Sequence, residues 1–315
     1  MPAADALSWA ILLGMLGSCV SLGLAMGFSI AAERAMAPAA GLTLLLSGVV
    51  MGRRAGRKHV SAAAVALLQM TLFTILGVTL AYLFAARAEP LWDAGLAAAD
   101  ARLGLHWPGL LAAADRLPAP LLMLSGLAYH SLAVQMVICI LVLAATGRIE
   151  RLRLMVAAAV LAGVATILIS GLMPAFGNLF APSAYRQLWP SVAWLERDLI
   201  AGLRNGSLRQ LDLSQLMGIV SFPSYHATLP VILAWSLRPI RGAFWPGASW
   251  AGLTVMATPL FGGHYAVDVI AGLLLALIAI AAVRPLAASD AGVPGSAGGI
   301  RAVQAKGTQA IHGLV

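Results

Sequence analysis

The sequence predicts an all-α integral membrane protein with about eight transmembrane helices, and two observations lead to this prediction. Of its 315 residues, 61% are hydrophobic and only 10% are charged, with a mean hydropathy of +0.90. Soluble domains carry roughly 25% charged residues, so the deficit excludes an ordinary soluble fold. Long apolar runs also recur along the chain, and a bilayer core of about 30 Å requires about 20 apolar residues per helix.

The apolar runs set the order of the predicted helices. The spans are expected at about residues 8–31, 38–51, 61–85, 118–146, 154–173, 223–237, 247–260 and 264–283. The second and seventh runs are the shortest relative to the thickness of a bilayer core. The tail at 286–315 is rich in Gly, Ala and Ser, a composition that predicts a disordered segment.

The basic residues indicate how the chain crosses the membrane. In a soluble protein the net charge of +8 would suggest a nucleic-acid partner, but here the charges cluster in short loops that face anionic lipid. We therefore expect no nucleic-acid partner. Short basic loops mark the cytoplasmic side, so both termini are predicted to be cytoplasmic and the long loops 86–117 and 174–221 to face outward. The clusters are Arg53, Arg54, Arg57 and Lys58, then Arg148, Arg151 and Arg153, then Arg238 and Arg241.

Two carboxylates and two tryptophans mark the first outer loop. The pattern of Asp93, Asp100, Leu103, Trp107 and Leu110 fits an amphipathic helix lying in the interface, with Trp92 and Trp107 at headgroup depth. We expect the two aspartates to be solvated, since an exposed carboxylate is the common case. A catalytic role for them is the alternative.

His264 and Asp268 head the last apolar run. A spacing of four residues at the start of a helix places the two side chains on one face, one turn apart. The carboxylate can then hold one ring nitrogen and leave the other free as a nucleophile or base. An ionisable pair inside a membrane protein is a functional candidate by default. A structural pair that stabilises a helix end is the alternative.

His226 heads the sixth run in a similar way. Pro223 and Ser224 precede it, and both are signals for the start of a helix. The free N–H groups of a helix start favour an anion. A histidine that reaches from the interface to water is the alternative. Because the sixth and eighth helices both begin on the outer side, His226 and His264 are predicted to lie at the same membrane level.

The two stretches FPSYHA at 222–227 and GGHYAVDVIAG at 262–272 together resemble the second and third motifs of the type-2 phosphatidic acid phosphatase superfamily. Their form is most similar to the branch that contains inositol phosphorylceramide synthases, which are inositolphosphotransferases of sphingolipid metabolism. The resemblance implies a six-helix core at residues 61–285, with a two-helix addition at 1–60 before it.

The resemblance also implies roles for the motif residues. His264 would attack phosphorus and form a phosphohistidine, with Asp268 orienting it. His226 would protonate the leaving oxygen and then activate the acceptor. Ser224 would hold phosphate oxygens, with Tyr225 beside it where the family has glycine. The family chemistry requires no metal or other cofactor, and no ligand cluster with metal spacing is visible in the sequence.

The sequence departs from the family pattern in its cationic residues. Thr258 stands where the third motif has arginine, and the first motif, a lysine followed by Arg-Pro, is not visible. Phosphate charge still requires compensation. We expect it from arginines of the second outer loop, with Arg204 first, then Arg209 and Arg186.

A further group of polar residues lies near the outer ends of the helices. These residues either line a substrate pocket or hydrogen-bond between helices. They are Tyr129, His130, Gln135 and Tyr265.

The leading functional hypothesis is a lipid phosphatase or phosphotransferase with its site at the outer membrane face. Its substrate would be a lipid phosphate or an inositol phosphorylceramide-type phospholipid. We expect a bacterial inner membrane, so that the site faces the periplasm. One alternative is a transporter with a His/Asp proton relay, although the chain lacks the internal repeat typical of many transporters. The other is a non-catalytic member of the same fold.

Overall fold

A computed structural model describes residues 1–291, and it is all-helical, with twelve helices and 75% helix. Among these residues the only strands are β1 (Ser29–Ile30) and β2 (Gln210–Leu211), a short parallel pair. The helices are α1 (Ala3–Ala25), α2 (Met36–Arg54), α3 (Lys58–Ala85), α4 (Asp93–Arg102), α5 (Trp107–Ala114), α6 (Ala119–His130), α7 (Leu132–Ala145), α8 (Ile149–Leu172), α9 (Val192–Asn205), α10 (Tyr225–Leu237), α11 (Arg241–Ala257) and α12 (Ala266–Ala291). The predicted all-α integral membrane class is confirmed.

Fewer helices than predicted are long enough to cross a membrane. Within the described chain, five helices have the required length and apolar composition: α1, α2, α3, α8 and α12. A sixth span is reached if α5 and α6, which meet at an angle of 114°, are counted as one bent span. The count of about eight is therefore not confirmed.

The difference arises in the predicted fourth, sixth and seventh spans. The fourth is divided at Ser131 into α6 and α7. Helix α10 has only 13 residues, so at 1.5 Å per residue it is roughly 20 Å long, against about 30 Å for a bilayer core. Helix α11 has 17 residues and is followed by a short π-helical turn at Thr258–Gly262.

Helix α8 lies at the centre of the bundle. It packs against α1, α3, α10 and α12, and small residues along it allow this close approach. At Gly163, an added Cβ would lie 2.0 Å from Cζ of Phe73 on α3. Only glycine therefore fits between the two helices at this level, because packed interiors have no room for an extra methyl group.

The segment at 86–117, predicted to be the first outer loop, braces α12 through a buried acid. Asp100 of α4 is fully buried, and its carboxylate accepts hydrogen bonds from the backbone N–H groups of Ala266 (2.8 Å) and Val267 (2.9 Å). The expectation of a solvated carboxylate is wrong for this residue. The physical reason is that the first N–H groups of a helix have no partner within the helix and attract negative charge.

The other features of this loop also differ from a single interfacial helix. The loop forms two helices, α4 and α5, and Nε1 of Trp107 donates to the Asp100 carboxylate (2.8 Å). Asp93 is half-buried and accepts from the backbone N–H groups of Phe176 (3.1 Å) and Gly177 (2.9 Å). The segment at 86–117 is therefore joined by hydrogen bonds to the segment at 174–221.

Helix α12 continues past Pro285 to Ala291, so it extends into the segment predicted to be a disordered tail. The rest of the predicted tail, residues 292–315, lies outside the described residues.

Candidate active site

His264 and Asp268 form a pair at the start of α12. Gly263 adopts a left-handed conformation (φ 74°) and turns the chain into the helix. Nδ1 of His264 lies 3.3 Å from Oδ2 of Asp268. The same carboxylate oxygen accepts from Oγ of Ser221 (2.9 Å) and from the backbone N–H of Tyr265 (3.0 Å). When Nδ1 carries the proton, Nε2 is the free basic nitrogen of the ring.

One oxygen of the Asp268 carboxylate is not used as a hydrogen-bond acceptor by the described residues. The residue is fully buried, and in the described part of the chain its Oδ1 has no hydrogen-bond partner. The Asp268 carboxylate lies 3.3 Å from Nδ1 of His264, where it can stabilise positive charge that develops on the ring during a reaction.

The two sequence motifs are joined directly. The backbone N–H of Ser224 donates to the backbone carbonyl of Asp268 (3.0 Å), and Oγ of Ser224 accepts from the N–H of Ala227 (3.3 Å), which caps α10. Gly272 makes the approach of the two helices possible, because an added Cβ would lie 2.3 Å from the carbonyl oxygen of Ser224. Ser224 therefore links the starts of α10 and α12.

His226 and His264 face one another across a small space. Their ring centroids are 6.5 Å apart, and the ring of Tyr129 stacks on His226 at 4.3 Å with an interplanar angle of 17°. Both imidazoles and Tyr129 line a cavity of about 20 Å³, which α9 and residues 218–221 help to enclose. A cavity needs roughly 10–15 Å³ to hold one water, so this space has room for about one.

Glu196 of α9 also lines this cavity, and the sequence reasoning missed it. Its burial raises the pKa of its carboxyl from the ordinary 4.5 to about 8, so the carboxyl is mostly protonated at neutral pH. The buried face of α9 consists of Ala193, Glu196, Ile200 and Leu203. An acid at helical spacing within an apolar stripe is a signal that was present in the sequence.

The arginines predicted to bind phosphate lie elsewhere. Arg204 donates to the backbone carbonyl of Glu89 (2.9 Å), and Arg209 donates to that of Leu203 (2.8 Å) near the end of α9. Arg186 is exposed. None of the three lines the histidine cavity. Arg209 binds the end of α9 because the free carbonyls at the C-terminal end of a helix favour a cation.

Two predicted tyrosines have structural partners. The hydroxyl of Tyr225 donates to the carbonyl of Ala159 on α8 (3.1 Å), and its ring packs against the main core. The hydroxyl of Tyr265 lies 3.3 Å from both the carbonyl of Gly177 and the carboxylate of Asp93. Neither side chain lines the histidine cavity.

Of the remaining polar residues, only Tyr129 lies in the cavity. His130 is exposed and meets the Tyr129 ring edge-on at 5.1 Å. Nε2 of Gln135 donates to Oγ1 of Thr254 (3.0 Å) and so connects α7 to α11. Thr258, at the position of the family arginine, is buried and donates to the carbonyl of Thr254 (2.8 Å).

Within residues 1–291, no group of three or more His, Cys, Asp or Glu side chains has the geometry to hold a metal ion. The histidine cavity also lacks a lysine or arginine among its lining residues. The polar side chains that line it are His226, His264, Glu196, Tyr129 and Ser221, and the Asp268 carboxylate lies behind His264.

A family model described as the PAP2 superfamily matches residues 94–282, which is more than half of the chain. The matched segment begins in α4, ends in α12 and contains both histidine motifs. Comparisons with curated proteins and with solved structures gave no match.

Proposed function

The chain belongs to the PAP2 superfamily, and from this premise we propose that it is a membrane enzyme that hydrolyses or transfers the phosphate-containing group of a lipid. One observation carries the proposal: two imidazoles, 6.5 Å apart between ring centroids, face one cavity, and a fully buried carboxylate holds one of them. Such a nucleophile, its orienting acid and an opposing acid/base are the parts required for covalent catalysis.

In the first half-reaction, Nε2 of His264 uses its lone pair to form a bond to phosphorus. The bond between phosphorus and the leaving oxygen breaks, and His226, which takes up a proton when the anionic phosphate binds, gives that proton to the oxygen. Asp268 keeps the Nδ1 proton of His264 in place and stabilises the positive charge that develops on the ring. The product is a phosphohistidine and a released alcohol.

In the second half-reaction, His226 is neutral and takes a proton from the acceptor hydroxyl. The acceptor oxygen forms its bond to phosphorus, the P–N bond breaks, and His264 returns to its starting state. Water as acceptor gives a phosphatase, and a lipid hydroxyl gives a phosphotransferase. The two activities share every residue of the first half-reaction.

Phosphate binding in this site rests on neutral donors. The backbone N–H groups of Tyr225 and His226 open α10, and the structure describes no acceptor for them. Glu196 adds a third donor, since a protonated carboxyl donates a hydrogen bond to a phosphoryl oxygen without repelling it. We assign to these groups the part that the arginine and lysine of the family motifs would take.

A substrate can enter the histidine cavity only if one of the segments that enclose it moves. A space of about 20 Å³ is too small for a phosphate group, and Glu196 is on α9, one of the segments that enclose it. We propose that α9 moves outward when a lipid headgroup enters. In the predicted orientation this occurs on the outer side, which is the periplasmic side for a bacterial inner membrane.

The choice of substrate rests on the motifs alone. The forms FPSYHA and GGHYAVDVIAG favour the branch of inositol phosphorylceramide synthases, so we propose a phospholipid donor and a sphingolipid-type hydroxyl acceptor. The catalytic unit in this proposal is residues 61–285, with residues 1–60 as an addition. Lipid phosphates hydrolysed by water are the simpler form of the same reaction.

The test uses purified full-length protein in detergent with radiolabelled phosphatidic acid, an isoprenyl diphosphate, and phosphatidylinositol with or without ceramide. We expect phosphate release or ceramide-dependent transfer from at least one donor, and an acid-labile phosphoenzyme after rapid quenching. His264→Ala should abolish both, and Asp268→Asn should lower kcat by roughly 10³–10⁴-fold.

His130→Ala is the matched control, because this histidine is exposed and lies outside the cavity. It should retain the wild-type rate. Failure of every donor to react, or equal rates for wild type and His264→Ala, would overturn the proposal.

A further inference from the structure

A second and much larger cavity lies at the opposite end of the bundle from the histidines. Its volume is about 930 Å³, and α1, α2, α3 and α8 form its walls. Ile149, the first residue of α8, lines it, whereas Phe176, just beyond the last residue of α8, lines the histidine cavity. The large cavity extends along α8 as far as Val156, so the 16 residues from there to Leu172, roughly 24 Å at 1.5 Å per residue, separate the two cavities.

The inner walls of this cavity are apolar stripes of single helix faces. The α3 residues of the lining occur as adjacent pairs that repeat every three or four positions, as required for one face of a helix. The pairs are Ser61 and Ala62, Val65 and Ala66, and Leu68 and Gln69. Leu46 and Val49 of α2 and Val156 of α8 complete the lining at this depth. Such a surface is suited to a hydrocarbon chain and poorly suited to a free inorganic ion.

The mouth of the cavity carries an excess of positive charge. Arg53, Lys58 and Arg153 line it together with one acid, Asp5. Arg153 is paired with Asp5 at 3.1 Å. No salt bridge is described for Arg53 or Lys58 within residues 1–287, and both are exposed. Two cations at the mouth of an apolar cavity complement a lipid with an anionic headgroup.

A polar donor without a partner lies deeper inside. Gln69 is 1% exposed and lines the cavity, and its Nε2 has no hydrogen-bond partner among the described residues. It is eleven residues after Lys58 on α3, roughly 16 Å along the helix, and helical side chains lean back toward the N-terminus. The amide therefore lies at the depth of an acyl chain, because a glycerol ester carbonyl is only a few bonds from a phosphorus held between Lys58 and Arg53.

We propose that this cavity binds one anionic phospholipid. Its phosphate group contacts Arg53 and Lys58, and an acyl chain fills the space between α2, α3 and α8. The site is independent of the proposed reaction, because it lies at the other end of the bundle. In this proposal, the N-terminal helices α1 and α2 form a lipid-binding site beside the catalytic unit.

The test is native mass spectrometry of the full chain in detergent, titrated with phosphatidylglycerol or phosphatidylcholine of equal chain length. We expect one phosphatidylglycerol to be retained at concentrations where phosphatidylcholine is not. The double variant Arg53→Gln/Lys58→Gln should weaken phosphatidylglycerol binding roughly 30-fold, from about fivefold per cation near a lipid surface.

Arg54→Gln/Arg57→Gln is the matched control, since these arginines belong to the same basic loop but do not line the cavity. It should bind phosphatidylglycerol within about twofold of wild type. Equal retention of the two lipids, or an equal loss in the control pair, would overturn the proposal. Displacement of phosphatidylglycerol by millimolar inorganic phosphate would also overturn the proposal, because it would indicate a site for free anions.

Fluorescence tests the same site without a charge change. Trp9 lines the cavity and is half-buried. Phosphatidylglycerol brominated along its chain should quench part of the tryptophan emission, and Trp9→Phe should remove that part. Quenching that is the same in wild type and Trp9→Phe would contradict an acyl chain in this cavity.

Discussion

The carboxylate of Asp100 accepts a hydrogen bond of 2.8 Å from the backbone N–H of Ala266, the first residue of α12. The two residues are 166 positions apart in the chain, and Asp100 is fully buried. The contact fixes the start of the helix that carries Asp268. The segment at 86–117 therefore acts on the candidate site by holding the third motif in place.

Replacing Asp100 with Ala should destabilise the protein and lower its activity together. The variant leaves two first-turn N–H groups of α12 without their charged acceptor. Each lost hydrogen bond should lower the unfolding free energy by up to about 3 kcal/mol. The measurement is the thermal unfolding midpoint in detergent, with the rate of lipid phosphate turnover on the same preparation.

Asp198→Asn is the control for a lost carboxylate, because the Asp198 side chain is 83% exposed. It should leave both the midpoint and the rate unchanged. An Asp100→Ala protein as stable as this control would show that the cap is dispensable.

Glu196 should produce an alkaline limit to both stability and activity. Its folded-state pKa of about 8 is raised from 4.5 by burial, so the folded protein holds a proton that the unfolded chain has lost. The stabilising effect of that proton is full below about pH 4.5 and declines as the pH rises to about 8. Above that pH, a carboxylate would also repel an anionic substrate.

Glu196→Gln keeps a neutral donor that cannot ionise. We expect a rate close to that of wild type near pH 6.5 and a smaller decline in rate and in unfolding midpoint toward about pH 9. Parallel pH profiles for the two proteins would exclude Glu196 as the titrating group.

Substitutions of Arg204 and Glu196 should lower kcat/KM by different amounts. Arg204 donates to the backbone carbonyls of Ala88 (3.4 Å) and Glu89 (2.9 Å) and does not line the histidine cavity. Arg204→Gln should therefore lower kcat/KM by less than about tenfold, whereas Glu196→Ala, which removes a donor in the site, should lower it by roughly 10²-fold. The opposite order would mean that Arg204 reaches the phosphate during turnover.

Gly272 should tolerate no side chain. An added Cβ would lie 2.3 Å from the carbonyl oxygen of Ser224 and 3.1 Å from Oγ1 of Thr228, so Gly272→Ala must push α10 and α12 apart. We expect a loss of roughly 1–3 kcal/mol in unfolding free energy and a large fall in rate, because the two histidines are carried by these two segments.

Gly252→Ala on α11 is the matched control, since nothing lies within 4 Å of an added Cβ there. Alanine in place of an unconstrained helical glycine should leave stability unchanged or raise it by up to about 1 kcal/mol. Equal rates for the two alanine variants would contradict the need for close contact between α10 and α12.

The sequence by itself determined the membrane class, the family, and the pairing of His264 with Asp268. Each of these depends on local information: composition, motif letters, and a spacing of four residues that a helix converts into contact. The tertiary structure decided which charged residues surround the histidines. It buried Glu196 in their cavity, turned Arg204 and Arg209 to backbone carbonyls, and used Asp100 as a helix cap. Those outcomes depend on contacts between segments far apart in the chain, which no local spacing records.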